Sequence, residues 1–526
     1  MSTHHGWSGR PAVRVAVQLP PSARAGVVLC PPLGQEGVIA YRTLRLLADR
    51  LEARGVASVR YDPSGRGDAG EDDAPDAQVR SARYAAALLR RSGVDDVAFV
   101  GLASASLVAA AAAADDDALL VWDAPASGRA WLRRQRALAT ITIGADRVVD
   151  GVESLVGVDL PPAELAVLGA LTFAPRTGPT VAAVRPGATA PRALGSVDVV
   201  EVPGIAELLD GTSIDARIPD AAVDRVVEWL DGWAPTLASP VVPPVLDEVL
   251  DVDDRVSERM VQIGPHGLFA VETVSSAQDA DAPVVLLHNG GAEHRTGAVD
   301  YQVGLARTLA RDGARVVRVD RRGTGESSPV RADEDAFLFA QEWVDDQHTV
   351  VAELRIPSER LAIVGMCAGA WLAGRAVDEH PRLVVEISPN DYRRTPATPG
   401  SYAGSAQAVA DASPLRRWLR GPYNRFVPPL VRDAVARRGS LGGVGGHLGP
   451  SVEHGTDVVV VAAPEDVERF ERYGGRRAVR RWGARVSVVE VPDGDHALFS
   501  PAMRRAVVTE VRSRVAETFP ARVLAD

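Results

Sequence analysis

A chain of 526 residues is too long for one ordinary core, so two domains are expected. Its 46% hydrophobic and 24% charged residues are those of a globular protein, and a net charge of −11 argues against binding nucleic acid or an anionic membrane. All 58 basic residues are Arg, which removes Schiff-base chemistry, lysine general bases and a phosphate-loop lysine. Cys30 and Cys367 lie far apart in different halves, so no disulfide framework is expected. The polar stretch from Met1 to Arg10 lacks the apolar run of a signal peptide. The longest apolar run, Leu107 to Ala114, is too short to span a bilayer. These features predict a cytoplasmic protein with no membrane span.

The first half opens with a buried strand from Ala25 to Cys30, running into the Pro/Gly turn that ends at Gly34. Leu44, Leu47 and Leu51 mark one face of a helix from Tyr41 to Ala53. Val56 to Tyr61 is the next strand, closing in Asp62-Pro-Ser-Gly65-Arg-Gly67-Asp68. A helix over Val79 to Arg91 and a strand over Val97 to Val100 lead to Gly101-Leu-Ala103-Ser104-Ala105. Strands alternating with helices at this spacing predict an α/β fold with a doubly wound, mostly parallel sheet flanked by helices.

The second half repeats the order. Val284 to His288 is the strand, followed by the turn Asn289-Gly290-Gly291. Val299 to Arg311 reads as a helix, Ala314 to Asp320 as a strand, and Arg322 to Ser327 as the turn after it. A helix from Phe337 to Leu354 precedes the strand Leu361 to Val364 and then Gly365-Met366-Cys367-Ala368-Gly369. The landmarks recur at an offset of roughly 260 residues, which predicts a tandem duplication. Residues 1–234 and 256–526 are assigned to the two domains. Residues 235–255 form a Pro-rich, semi-rigid linker.

The two halves differ in chemical equipment. Strand, Gly-x-nucleophile-x-Gly turn and helix surround Cys367, whereas the matching position of the first half is Ala103. Thr180 to Val184 ends in Arg185, with no carboxylate, and residues 203–219 contain no His. The first half therefore reads as degenerate. In the second half, the strand Thr456 to Val461 is followed by Glu465 and Asp466, and the last strand, Val486 to Val491, by Asp495-His496. His496 is the expected general base. Asp466 is preferred as the acid that orients it, with Asp391 and Glu465 as alternatives. Backbone N–H groups at Asn289, Gly290, Gly291 and Ala368 are the expected oxyanion donors. His288 and His294 flank that turn, and His447 and His454 read as loop residues. No His/Cys/Asp/Glu cluster has metal-ligand spacing, so neither metal nor cofactor is expected.

The elbow, and the order nucleophile, acid, histidine, resemble the α/β-hydrolase superfamily in both halves. Gly365-Met-Cys-Ala-Gly369 is similar to the cysteine elbows of dienelactone hydrolases and polyhydroxyalkanoate synthases. His294-Arg-Thr-Gly297, Asp495-His496-Ala-Leu-Phe-Ser500, Cys30-Pro-Pro-Leu-Gly34 and Trp122-Asp123-Ala-Pro-Ala resemble hydrolase-like proteins of exopolysaccharide and natural-product gene clusters. That resemblance implies an acyl thioester substrate, with an acyl carrier protein as a partner. The expected activity is acyl transfer or thioester cleavage through an acyl-enzyme on Cys367. An ester or lactone hydrolase of the dienelactone type and a non-catalytic scaffold are the rival readings. Residues 393–449, with Trp418, Tyr423 and Phe426, are expected to form a lid over the substrate.

Overall fold

The apolar runs become the buried centres of two sheets. A computed structural model describes residues 3–144, 147–210, 217–277, 279, 281–291, 293–329, 338–397 and 443–520. The chain divides into two units, Met1–Met260 with Ala298–Val303, and Val261–Gly297 with Gly304–Asp526.

The first sheet contains β1 (Thr3–Ser8), β2 (Val13–Gln18), β3 (Gly26–Cys30), β4 (Ala57–Asp62), β5 (Val97–Leu102), β6 (Ala118–Trp122), β7 (Thr180–Val184) and β8 (Asp198–Glu201). Their spatial order is β1-β2-β4-β3-β5-β6-β7-β8. β2 pairs antiparallel with β4, and every pair from β4 to β8 is parallel. Parallel strands are covered on both faces, which is why they read as unbroken apolar runs. Alternation along β3 and β5 sorts the two faces. Val28, Cys30 and Phe99 pack with Ala82 and Leu88 of α2 (Ala77–Arg91) and Val108 of α3 (Ala105–Ala112). Val27, Leu29 and Val100 pack instead with Leu47 of α1 (Gln35–Glu52) and Leu230 near residue 233.

The second sheet contains β9 (Val249–Asp251), β10 (Val256–Ile263), β11 (Leu268–Ser275), β12 (Val284–His288), β13 (Arg315–Val319), β14 (Leu361–Met366), β15 (Leu383–Ile387), β16 (Asp457–Ala462) and β17 (Val486–Glu490). Its order is β9-β10-β11-β13-β12-β14-β15-β16-β17. With β9 set aside, the order matches that of the first sheet, including the antiparallel step, here β11 to β13. The fold is α/β, with two doubly wound sheets in tandem.

Several boundaries differ from expectation. The helix expected from Val299 begins at Tyr301, because Val299 and Asp300 have φ of 55° and 54°, outside the right-handed helical region. The helix expected from Phe337 begins at Gln341. Within the Pro-rich segment, Ser239–Pro240 pairs antiparallel with Ser22–Ala23. Most of the expected lid, residues 398–442 with Trp418, Tyr423 and Phe426, lies outside the described residues. The Gly-rich run beyond it is helical from Gly443 to Glu453. Among the described residues, no helix is long and apolar enough to cross a membrane.

An ion pair ties the turn after β12 to the turn after β13. The Asp320 carboxylate accepts the Arg295 N–H at 2.7 Å, Nη1 of Arg295 at 2.7 Å and the Glu326 N–H at 2.9 Å. Both side chains are fully buried. Arg295→Leu should strand the carboxylate and cost about 3–5 kcal/mol, read as a lowered urea midpoint. An unchanged midpoint would show that the pair is dispensable.

Candidate active site

β14 delivers Cys367 into a backbone conformation that few side chains adopt. Its φ is 53° and ψ −111°, and the six-residue helix α4 (Ala368–Ala373) starts immediately after it. The surrounding glycines make the turn possible. A Cβ at Gly365 would stand 2.0 Å from the Gly369 carbonyl oxygen, and one at Gly369 would stand 2.5 Å from that of Asn289. Neither is sterically tolerable. The Cys367 N–H donates to the Ile387 carbonyl at 2.9 Å, and the Ala370 N–H returns to the Cys367 carbonyl at 3.2 Å. The thiol is thus carried at the carboxyl end of the sheet, where open α/β sheets bind ligands.

Asp466 and His496 meet there. Asp466 does not close β16; it lies in the first turn of α5 (Pro464–Arg472), beyond Ala462. His496 Nδ1 lies 3.0 and 2.9 Å from the two carboxylate oxygens of the fully buried Asp466. Nδ1–H donates to that carboxylate, which leaves Nε2 free of it, and the Cys367 thiol is close enough to act on the imidazole. Burial by itself lowers the imidazole pKa. The hydrogen bonds to Asp466 and Cys367, with the charges on both, outweigh it and raise the value from 6.5 to about 10. Asp495 shapes the loop, accepting N–H groups of Ala497 at 3.1 Å, Phe499 at 3.0 Å and Ser500 at 2.6 Å. The alternative acids lie elsewhere. Asp391 binds the Arg393 N–H at 2.8 Å and Nε at 3.0 Å, and Glu465 makes no hydrogen bond to His496.

The turn after β12 crosses the elbow. A Cβ on Gly290 would lie 2.6 Å from Met366 Sδ and 3.1 Å from Cys367 Cβ, so this glycine lies against the nucleophile position. The Glu293 N–H closes the turn on the Gly290 carbonyl at 3.1 Å. The Asn289 side-chain amide donates to the His294 carbonyl. His288 is buried, and its pKa is lowered to about 3, first by burial and then by the Arg321 charge. It is therefore neutral and suits packing better than proton transfer. His294 contacts Thr296 Oγ1 at 3.3 Å.

Sequence reasoning misplaced His447 and missed two arginines. His447 is not a loop residue: it lies on the helix Gly443–Glu453, fully buried, 2.8 Å from the Glu386 carboxylate. Gly374 leaves room for that pair, since a Cβ there would stand 2.3 Å from His447 Nε2. His454, past the same helix, is bound to the Pro450 carbonyl at 2.7 Å. Arg469 donates to Asp466; its i, i+3 spacing on a helix was the available signal. Arg321, buried under the turn after β12, donates to the carbonyls of Gly290 and Gly291 at 3.2 and 2.9 Å. Among the described residues, no group of three or more His, Cys, Asp or Glu could hold a metal ion.

The matching region of the first unit keeps the backbone and inverts the charges. Ala103 has a φ of 50°, close to that of Cys367, and a Cβ at Gly101 would meet the Ala105 carbonyl oxygen at 2.4 Å. The Ser104 N–H, equivalent to that of Ala368, donates to the Glu36 carboxylate at 3.2 Å. Trp131 Nε1 at 3.3 Å and Gln135 Nε2 at 3.2 Å complete the shell of Glu36. Burial raises the Glu36 pKa against those hydrogen bonds. The Leu33 N–H, at the position of Gly291, is bound to Ser104 Oγ at 2.9 Å. After β7, where an acid would be needed, Arg185 forms a two-point ion pair with Asp123 at 2.9 and 2.8 Å.

Proton linkage at His496 has a defined sign. The folded protein holds the imidazole proton more tightly than the unfolded chain, so the stability this contributes is whole below pH 6.5 and lost as pH rises through about 10. Thermal unfolding should show the wild type losing stability across that window relative to His496→Gln. Parallel curves for the two proteins would contradict the hydrogen bonding described here.

Residues 283–387 match the family model of the alpha/beta hydrolase fold. No curated protein matches the chain. Similar solved structures include Cfl2 from Burkholderia cenocepacia, at 17% identity over 50% of this chain and 96% of that one, with a TM-score of 0.30. An esterase of Pyrococcus furiosus is 18% identical over 50% of this chain and 91% of its own, with a TM-score of 0.31. A loop variant of a haloalkane dehalogenase from Bradyrhizobium elkanii is 14% identical over 50% and 97%, with a TM-score of 0.30. The matched stretch runs from the start of β12 to the end of β15 and holds the Gly290 turn and the Cys367 elbow.

Proposed function

We propose that the second unit transfers acyl groups through a covalent intermediate on Cys367, with a thioester as donor. The observation that carries this reading is His496 held at 2.9 Å by the buried Asp466 carboxylate, with the Cys367 elbow near enough to act on its imidazole. A protonated imidazole beside a sulfur favours the thiolate, which is the nucleophilic form. Sγ attacks the acyl carbonyl carbon, and the carbonyl electron pair moves onto oxygen. The resulting oxyanion rests on the N–H groups of Ala368 and the Gly290–Gly291 turn. Collapse breaks the bond to the leaving group, which takes the proton from His496 Nε2, and an acyl-enzyme remains. A second nucleophile then gives its proton to neutral His496 as it attacks, and the thiolate departs.

A thiol nucleophile suits a thioester donor because one thioester replaces another with little change in free energy. The acyl group is therefore held until an acceptor arrives, whether water or the alcohol or amine of a second substrate. In this reading an acyl carrier protein presents the donor. Hydrolysis of simple esters or lactones is the competing outcome for the same residues.

The first unit is read as catalytically silent. Ala103 carries no nucleophile, and the Ser104 N–H is already bound to Glu36. Restoring a thiol should therefore restore nothing. Ala103→Cys in a Cys367→Ala background is expected to form no acyl adduct, and an adduct at residue 103 would refute the silence of this unit.

Intact-mass measurement after incubation with acyl-pantetheine thioesters tests the main reading. One acyl group should appear on Cys367, and none on Cys30, whose buried thiol is pushed up to about 12. Turnover by Cys367→Ala at the wild-type rate would end this reading. Faster turnover of p-nitrophenyl esters than of thioesters would favour the ester hydrolase. Among the acids, Asp466→Asn should lower kcat by about 10²–10⁴-fold through the loss of histidine orientation. Asp391→Asn and Glu465→Gln should leave it within about threefold.

A further inference from the structure

Arg321 is a buried cation without an ion pair. It is 1% exposed and forms no ion pair among the described residues; the carboxylates of Glu293, Asp320 and Asp346 act on its charge from beyond ion-pair distance and offset only part of its burial. Nη2 donates to the carbonyls of Gly290 at 3.2 Å and Gly291 at 2.9 Å. The guanidinium carbon lies 4.0 Å from the centroid of the buried Trp343 ring. Nη1 has no hydrogen-bond partner. Burying a charge in this way costs several kcal/mol unless something nearby offsets it. The neighbouring arginines illustrate the usual solution: Arg295 is paired with Asp320 and Arg322 with Asp346.

The two carbonyls it holds belong to the turn lying against Cys367. In a trans peptide, the C=O of one residue and the N–H of the next point in opposite directions. Pinning the Gly290 carbonyl on Arg321 therefore aims the Gly291 N–H away from Arg321. A cation bound to the carbonyl also polarises that peptide and makes its N–H a stronger donor. Both effects serve an anion formed at the nucleophile, where fixed dipoles and charges act with little reorganisation.

The first unit supplies an independent contrast. Register along β3 and β4 pairs Leu29 with Arg60, and along β12 and β13 it pairs Leu287 with Arg318. Counting on from those pairs sets Pro63 at the position of Arg321. The unit without a nucleophile has no guanidinium there, and the N–H matching Gly291, that of Leu33, is bound to Ser104 Oγ instead. The clamp and the nucleophile occur together in one unit and are both missing from the other.

We propose that Arg321 is a positioning residue for the reaction at Cys367: it fixes the Gly290–Gly291 peptide as an oxyanion donor and supplies the counter-charge to the anion that forms there. This rests on Cys367 being the nucleophile, as read above. Its role is exerted through the backbone turn and through its charge, without contact with the acyl group.

The test uses the full-length protein as wild type, Arg321→Met and Arg321→Lys, with Cys367→Ala as a control. Each is measured for thermal midpoint, for kcat and KM on p-nitrophenyl acetate, and for the rate at which iodoacetamide labels Cys367. Arg321→Met should lower kcat by about 10²–10³-fold, the range seen when one oxyanion donor is removed, with KM within about threefold. Labelling should slow as well, and Arg321→Lys should recover part of both rates by restoring the charge. An unchanged kcat in Arg321→Met, or a raised KM with kcat intact, overturns the proposal. So does a lysine variant no better than methionine when both melt at the wild-type temperature. If Arg321→Met fails to fold, the comparison of wild type with Arg321→Lys carries the test: equal kcat and equal labelling overturn it, and a kcat loss at constant KM with slower labelling supports it. Full activity in Cys367→Ala would instead remove the reading on which the proposal rests, whereas the labelling rates report on Arg321 without any turnover.

Discussion

The close approach of backbone to backbone around Cys367 is the constraint on which the second unit depends. A non-glycine residue at a φ of 53° and ψ of −111° costs about 1–3 kcal/mol, and here the cost is met by contacts that leave the chain no alternative. Gly365 lets the following helix lie on the strand end, and Gly369 lets the same helix touch the turn after β12. The Cys367 N–H is tied to the Ile387 carbonyl of the neighbouring strand. One strained residue thereby sets the relation of three elements: the strand that carries the thiol, the turn that faces it and the helix that follows. The helix has six residues, so its dipole adds little.

The two units show that this frame and the chemistry are separable. Ala103 adopts nearly the same φ as Cys367, and Gly101 meets the same crowding as Gly365. What changed is the sign of the charges. A carboxylate, Glu36, occupies the N–H group that would serve an oxyanion, and a guanidinium, Arg185, follows the strand after which a carboxylate would be needed. Glu36 is stable there because buried N–H groups need an acceptor, and a side chain supplies it in place of a substrate. The fold is kept because its hydrophobic faces and glycine contacts do not depend on the nucleophile.

Buried charge in the second unit is distributed with a pattern. Arg295 with Asp320, and His447 with Glu386, are local pairs at 2.7 and 2.8 Å that tie elements together. Asp466 is shared between His496 and Arg469, which meet at the same oxygen, Oδ1, so the guanidinium competes for the carboxylate that holds the imidazole. Arg321 alone of these groups faces backbone carbonyls and an aromatic ring in place of a carboxylate. Fully paired charges stabilise the scaffold, whereas Arg321 gives its hydrogen bonds to the turn after β12.

The sequence by itself determined the fold class, because it rests on local signals. Apolar runs bounded by Gly and Pro mark strands that are buried on both faces, and a Gly-x-Cys-x-Gly turn between strand and helix has few other uses. The tertiary structure decided what depends on partners distant along the chain. It brought the Asp466 carboxylate to 2.9 Å from His496 Nδ1, thirty residues later in the chain, and set Asp391 against Arg393. It put His447 in the core beside Glu386, although its glycine-rich surroundings read as loop. It brought Arg321 under Gly290 and Gly291, some thirty residues earlier in the chain, a contact made by the pairing of β12 with β13. It also joined Glu36 to Ser104 across 68 residues. Periodicity reports which face of an element is buried; it carries no record of which polar group waits on the other side.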